Sequence, residues 1–224
     1  MIASRHLGLL SATLLAGCLH AQKAPDLKAN LAALDAASKT FVNFQADLKQ
    51  ESFTRLVQHT DTDTGKMYSI RGKGGDEVGI QVGEHMALYK NGTLKDYTTK
   101  LACYNTYSAG KNKGTFDTIL TLAFGTSGKD LAAKWDITDE GPMTLTVDSK
   151  PTTVEELTLI PKDNDLKNTI THIELWVDLT KAYSPRIITF SPSGDTTTAT
   201  YSKIRLNAAT VDTKPFEIKG KPCK

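Results

Sequence analysis

The sequence predicts an α+β domain built mainly from antiparallel strands, and three observations support this class. Apolar and polar residues alternate with a period of two through most of the chain after residue 43, as they do in half-buried strands. Short turn segments separate these runs, which is typical of a meander. A helical period is confined to the start and the middle. About 9–11 strands are too many for one flat sheet, so we expect a barrel, closed or partly open, with helices against one side.

The opening element is predicted to be an amphipathic helix over residues 26–41. Leu27, Leu31, Leu34 and Phe41 recur along it at helical spacing, so they share one face. Asp26 is suited to the N-cap, because its carboxylate can accept a hydrogen bond from the first helical turn. One helix therefore precedes the strands.

Alternation then predicts strands and hairpins as far as residue 92. Residues 44–49 alternate, and the polar tract 59–65 is interpreted as a turn into the next strand. Residues 78–82 alternate again, and 86–88 continue towards Asn91-Gly92. This dipeptide is a strong indicator of a two-residue hairpin turn.

The second half of the chain begins with a helical pattern and ends in a meander. Residues 115–135 have helical spacing, and Gly125 and Gly128 divide them into two short helices. The later strands are predicted around residues 143–147, 157–161, 173–177, 188–190 and 199–206. On the last of these, strict alternation would place Tyr201 and Leu206 on opposite faces.

An apolar run near the N-terminus predicts export from the cytoplasm. It covers residues 7–17, about 11 residues where roughly 20 are needed to span a bilayer. Two cleavage patterns overlap after it. In the first, Leu15-Ala16-Gly17-Cys18 is a lipobox, residues 1–17 are removed and Cys18 is lipidated. In the second, residues 1–21 form an ordinary signal peptide, and both alternatives stay open. Residues 22–224 are expected to form a single domain.

Charge and cysteine content exclude some classes of partner and site. The chain has 27 basic and 25 acidic residues, a net charge of +2, without the basic excess of a nucleic-acid-binding protein. Export would place Cys103 and Cys223 in an oxidising compartment, so we predict a disulfide between them. Two cysteines without a Cys-x-x-Cys motif do not indicate a metal site.

No pattern in the sequence indicates catalysis. His59, His85 and His172 lie far apart, and no Gly-x-Ser-x-Gly motif is present. The glycine-rich residues 72–76 lack the Gly-Lys-Ser/Thr ending of a phosphate-binding loop. We therefore predict a protein that is not an enzyme and that uses no cofactor and no metal.

Several segments, taken in order along the chain, are similar to segments of one known family. They are Phe41-Val42-Asn43-Phe44-Gln45-Ala46, Leu157-Thr158-Leu159-Ile160-Pro161-Lys162, Ile173-Glu174-Leu175-Trp176-Val177-Asp178, and the C-terminal hairpins ending in Tyr201-Ser202-Lys203-Ile204-Arg205-Leu206-Asn207 and Phe216-Glu217-Ile218. This succession resembles LolA, the periplasmic lipoprotein carrier, and its outer-membrane relative LolB.

The resemblance implies a fold, a function and partners. The fold would be an incomplete barrel lidded by helices, with an interior that takes the acyl chains of lipoproteins. The function would be carriage of lipoproteins through the periplasm from the inner to the outer membrane, between an inner-membrane release complex and an outer-membrane acceptor. Arg71 matches by position an arginine that holds the lid closed. We expect a monomer.

Two alternatives to a soluble carrier remain. A protein anchored to the outer membrane through a lipidated Cys18 would be an acceptor like LolB. A non-catalytic envelope module could instead use the same fold to bind or sense another protein. A filled interior would favour this second alternative.

The apolar strand residues supply candidates for the wall of a lipid-binding cavity. Each buried methylene favours such a cavity by about 0.8 kcal/mol, so binding needs no nucleophile or metal. The candidates are Met67, Ile70, Ile80, Val82, Met86, Leu88, Met143, Leu145, Leu159, Leu175 and Phe190. The same side chains could equally be ordinary core, because alternation does not show whether lipid or protein fills an apolar face.

Overall fold

The computed structural model describes residues 25–72, 75–108, 122 and 124–223. Its helices are α1 (Leu27–Ser38), α2 (Gly128–Lys134) and α3 (Asn164–Lys167), with a 3-10 turn at Lys214–Phe216. Its strands are β1 (Asn43–Thr54), β2 (His59–Gly72), β3 (Gly75–Val82), β4 (His85–Lys90), β5 (Thr93–Thr98), β6 (Cys103–Ser108), β7 (Trp135–Val147), β8 (Lys150–Pro161), β9 (His172–Asp178), β10 (Tyr183–Phe190), β11 (Thr196–Leu206) and β12 (Lys221–Pro222).

The described strands form one 12-stranded sheet in the order β12-β6-β5-β4-β3-β2-β1-β11-β10-β9-β8-β7. All pairs are antiparallel except β12 with β6. The two edges, β12 and β7, do not pair with each other in the described chain, so the sheet is not closed. The predicted class, α+β with an unclosed barrel-like sheet, is confirmed. The sheet has more strands than predicted, partly because the two-residue β12 adds to β6.

Helix α1 forms where the sequence predicts a helix. The Asp26 carboxylate accepts a hydrogen bond from the Ala29 N–H at 3.1 Å, which satisfies one of the free donors of the first turn. Leu34 and Ala37 are buried against the sheet, and Phe41 lies beyond the helix end but is also buried. Burial of this apolar stripe attaches α1 to the sheet.

The polar tract 59–65 is part of β2, so its prediction as a turn is wrong. The turn is at residues 55–58, and β1 pairs with β2 from Thr54 opposite His59 to Asn43 opposite Ile70. β3 reaches only as far as Gly65. β3 therefore does not cover residues 59–64 at the outer end of the β1–β2 hairpin. These residues are exposed to solvent, which explains why they are polar.

A bulge in β11 overturns the prediction that Tyr201 and Leu206 lie on opposite faces. Tyr201 is opposite Leu48 and Leu206 is opposite Phe44, with a register shift between them. Lys203 has a positive φ of 50°, and its N–H donates to the Asp148 carboxylate at 2.6 Å. The extra residue in the bulge returns Leu206 to the same face as Tyr201, whereas strict alternation would have placed it on the opposite face.

Three of the sequence predictions fall partly or wholly outside the described residues. They are the leader with Cys18, the first helix of residues 115–135, and the removal of residues 1–21 or 1–17. The second helix of that region is confirmed as α2, whose N-cap Ser127 accepts a hydrogen bond from the Asp130 N–H. The strand that starts directly after it, at Trp135, was not predicted.

The described part of the chain contains no helix of the length and hydropathy needed to cross a bilayer.

The sheet has two faces with different coverings. The inner face carries Phe44, Ala46 and Leu48 and packs against α1 and α2. On the outer face, the 3-10 turn packs its buried Phe216 against Tyr68, with ring centroids 4.6 Å apart. We call residues 207–223 the C-terminal strap, because it runs from the end of β11 to β12. Its end is joined to β6 by a disulfide between Cys103 and Cys223.

Three buried tyrosines predict a loss of stability in alkaline solution. Burial raises the pKa of Tyr201 and of Tyr68, the latter also because its hydroxyl donates to Glu77, and raises the pKa of Tyr183 to about 12. The unfolded chain loses these protons near pH 10 while the folded protein keeps them, so deprotonation favours unfolding. Above about pH 10 the equilibrium constant for folding should decrease by up to roughly tenfold per pH unit for each tyrosine.

Urea unfolding at several pH values would measure this effect. The midpoint should be steady between about pH 8 and 9 and should decrease beyond about pH 10. Absorbance near 295 nm, which reports tyrosinate, should rise together with unfolding. A midpoint that stays constant to about pH 11.5 would contradict the prediction.

Candidate functional site

The candidate site is the inner face of the sheet together with the helices that cover it. Residues directly opposite each other on antiparallel strands lie on the same face of the sheet. The register therefore shows whether each predicted wall residue lies on the inner or the outer face. Met67 is opposite Ala46 and Ile80 is opposite Met67. The predicted wall residues on the inner face are Met67, Ile80, Val82, Leu159 and Leu175. That they contact lipid stays a prediction.

The other six candidates lie on the outer face, so their assignment to an inner wall is wrong. They are Ile70, Met86, Leu88, Met143, Leu145 and Phe190. In β4, Met86-Ala87-Leu88-Tyr89 is apolar without interruption, so the sequence does not show which face is inside. The register places Ala87 opposite Ile80, which leaves Met86 and Leu88 outside.

Three aromatic rings that the sequence analysis did not assign to the site lie at its centre. Phe44 and Phe124 stack with ring centroids 3.6 Å apart and an interplanar angle of 27°. Tyr201 meets Phe124 edge-on at 5.0 Å and Phe44 at 5.9 Å. All three are buried. We call them the aromatic cluster, and it fills the middle of the inner face.

Arg71 on β2 connects the sheet to two covering segments, which are the end of α1 and the residues just before α2. Its Nη1 donates to the carbonyl of Ser38, the last residue of α1, and its Nη2 donates to the carbonyl of Gly125, each at 2.6 Å. The guanidinium also lies 5.2 Å from the ring centroid of Phe41. The fork of donors on arginine suits this bridging of two carbonyls.

The segment before α2 is attached to the sheet at a few points. Phe124 forms an isolated antiparallel bridge with Tyr183, and the Gly125 N–H donates to the Ala182 carbonyl at 2.7 Å. Gly125 has a φ of 68°, and a Cβ on it would collide with the side chains of Phe41 and Arg71. Glycine is therefore required both for the turn and for the close approach of Arg71.

The space left beside Arg71 is small. A cavity of about 100 Å³ is lined by Arg71, Asp76, Leu122, Phe124, Gly125, Thr126, Asp130, Leu131, Lys134 and Trp135. This volume corresponds to roughly three water molecules and is far below the roughly 300 Å³ of a small ligand pocket. In the conformation of the described residues, this cavity cannot hold an acyl chain.

The residues with described positions include no group of three or more histidine, cysteine or acidic side chains that could hold a metal ion. Trp176, on the outer face, is buried, and the Arg186 guanidinium lies 4.9 Å from its ring centroid. This tryptophan packs within the sheet and does not contribute to the inner face.

No family model and no curated protein matches the sequence. Solved structures do resemble the fold. A conserved protein from Thermus thermophilus has a TM-score of 0.52 at 9% identity, over 88% of this chain and 97% of that one. MucB has a TM-score of 0.51 at 15% identity, over 86% of this chain and 62% of MucB.

A third solved structure bears the name of the family that the sequence resembles. A LolA superfamily protein from Nitrosomonas europaea has a TM-score of 0.40 at 14% identity, over 85% of this chain and 97% of that one. The chain resembles LolA-like proteins in fold. At these identities the likeness is one of fold alone, and any ligand has to be argued from the site.

Proposed function

We propose that this protein is a periplasmic carrier that binds the acyl chains of lipoproteins, or a chemically similar lipid, between the inner face of its sheet and α1 and α2. The observation that carries the proposal is the Arg71 contact. It fastens two covering segments to an apolar sheet face through hydrogen bonds to two carbonyl oxygens. Polar contacts of this kind can be broken and remade without disturbing the sheet.

The energies are compatible with reversible opening. A hydrogen bond to a charged group contributes about 1.5–3 kcal/mol, and solvent exposure of Arg71 places its two bonds at the lower end. A bound acyl chain gains about 0.8 kcal/mol for each methylene removed from water. A chain of several methylenes can therefore offset the loss of both bonds, and closure is restored when the chain leaves.

The proposal includes the cellular setting. The protein would lose residues 1–21, act through residues 22–224 without catalysis, receive lipoproteins from an inner-membrane release complex and deliver them to an outer-membrane acceptor. A lipidated Cys18 would instead anchor the protein, which would then be the acceptor. Mass spectrometry of the mature N-terminus distinguishes the two, since only the acceptor carries diacylglycerol.

Uptake of a synthetic triacylated lipopeptide by the delipidated protein tests the function. We expect saturable binding, measured by displacement of a fluorescent fatty acid, and no binding of the same peptide without its acyl chains. Arg71→Ala should take up the lipopeptide up to about a hundredfold faster, because two hydrogen bonds of about 1.5 kcal/mol each no longer resist opening. Wild-type protein that shows no saturable uptake would contradict the carrier.

Two further variants test whether the effect of Arg71→Ala comes from loss of the bridge between two carbonyls or from loss of a positive charge. Arg71→Lys keeps the charge, but a single ammonium cannot bridge two carbonyls as the guanidinium does, so we expect faster uptake than in the wild type. Lys66→Ala removes an exposed cation from the outer face of the same strand and should leave uptake unchanged. Equal acceleration by Lys66→Ala would assign the effect to charge and not to the bridge.

A second candidate is a non-catalytic envelope module that binds a protein. The aromatic cluster favours it, because Phe44, Phe124 and Tyr201 occupy the centre of the inner face. MucB, whose fold is similar, has also been solved in a complex with MucA from Pseudomonas aeruginosa. This candidate predicts no lipopeptide uptake by either the wild type or Arg71→Ala.

A further inference from the structure

We infer that the ring of Phe124 occupies the position of the bound acyl chain and is displaced when the ligand enters. The inference rests on the proposed function and identifies the part of the inner face where the chain lies. The site would be the space between Phe44 and Tyr201, which Phe124 fills in the described conformation.

The three rings of the cluster are held very differently. Phe44 lies on β1 and Tyr201 on β11, two strands that pair with each other along most of their length and with further strands on either side. Phe124 lies outside the strands. Among the described contacts, its backbone is held by the bridge to Tyr183, and its neighbour Gly125 by the Ala182 carbonyl and the Arg71 side chain.

This difference identifies the ring that can leave. Among the described contacts, withdrawal of Phe124 breaks two hydrogen bonds of Gly125, one to Ala182 as part of the isolated bridge and one from Arg71. Withdrawal of Phe44 or Tyr201 would open the sheet. One of the two hydrogen bonds is the contact from Arg71 to Gly125 that holds the covering segment. Release of Arg71 would therefore free the covering segment and the ring together.

The chemistry of the vacated space indicates an uncharged hydrocarbon chain. Its walls are the flat rings of Phe44 and Tyr201, and burial raises the pKa of Tyr201 so that its hydroxyl stays neutral. Leu48 is opposite Tyr201 on the adjoining strand and is also buried. The charged residues Asp130 and Lys134 line the small cavity beside Arg71, which adjoins the aromatic cluster at Phe124. The apolar end of the chain would occupy the cluster, with its polar head group towards Arg71.

Alanine substitutions at Phe124 and Phe44 test the inference, because they should act in opposite directions. Phe124→Ala removes the competing ring, so we expect a fluorescent C16 fatty acid to bind at least tenfold more tightly than to the wild type. Phe44→Ala removes a wall and leaves Phe124 in place, so binding should weaken. A purely structural role for the cluster would move both variants in the same direction.

Phe216→Ala is the matched control for stability. Phe216 is buried to a similar degree, 1% exposed against 3% for Phe124, but on the outer face. It should lower the urea midpoint comparably without tightening fatty-acid binding. Phe124→Leu, which retains more of the core packing, should give an intermediate gain and serves if Phe124→Ala does not fold.

The outcomes separate this inference from the proposed function. If the wild type binds the fatty acid and neither Phe124 variant binds more tightly, the inference that Phe124 is displaced by the ligand is contradicted. The proposed carrier function is then not contradicted. If neither the wild type nor any folded variant binds, the carrier is overturned and the inference with it. Tighter binding by Phe124→Ala together with weaker binding by Phe44→Ala supports both.

Discussion

Replacing Cys103 and Cys223 by serine should lower the free energy of unfolding by about 4–5 kcal/mol. The disulfide joins residues separated by 120 positions, and cross-linking a loop of about this length removes that much chain entropy from the unfolded state. Little else holds the end of the strap in place. β12 has only two residues, paired with Cys103 and Tyr104 of β6, and the Cys223 N–H donates to the Tyr104 carbonyl.

Urea unfolding of the oxidised protein, the reduced protein and the double serine variant measures the contribution of the disulfide. The reduced protein and the variant should share one lowered midpoint, because both lack only the cross-link. Hydrogen exchange should show earlier loss of protection at Cys223 or its replacement than at Phe216, which stays packed on Tyr68. Equal midpoints for oxidised and reduced protein would contradict the prediction.

The order of elements was predictable because it depends on local pattern. The stripe of Leu27, Leu31 and Leu34 identifies α1, and Asn91-Gly92 identifies the turn between β4 and β5. The inward face of each strand depends on register with its neighbours, which sequence spacing does not contain. Met86-Ala87-Leu88-Tyr89 is compatible with either face, and the bulge at Lys203 reverses the face that alternation assigns to Leu206.

The site was less predictable than the fold. Arg71 was found through the family resemblance, and its two acceptors are the backbone carbonyls of Ser38 and Gly125, which no side-chain pattern encodes. Phe124 was missed because it lies within residues 115–135, where the helical spacing predicts a helix and gives no sign of a bridge to the sheet. Gly125, three residues before the start of α2, was a clue to a special turn, but the sequence did not connect that turn to the inner face.

Gly128→Val should disrupt the covering helices and lower the free energy of unfolding by about 3 kcal/mol. Gly128 is buried at the start of α2, and a Cβ on it would lie 2.1 Å from the carbonyl oxygen of Leu31 in α1. That atom belongs to helix backbone, so it cannot move aside as the end of a flexible side chain could. The branched valine forces the helices apart, which strains the hydrogen bond from the Lys129 N–H to the Asp35 carboxylate.

Ala133→Val on the same helix is the control for Gly128→Val. It separates the steric effect of the contact between α1 and α2 from the lower helix propensity of valine. Ala133 is exposed, so valine there should cost only the propensity difference, about 0.6 kcal/mol. If α1 and α2 cover the ligand site as a unit, Gly128→Val should also accelerate lipopeptide uptake, as Arg71→Ala does, while Ala133→Val should not. Equal stability losses in the two valine variants would mean that the helices do not need the close approach that Gly128 permits.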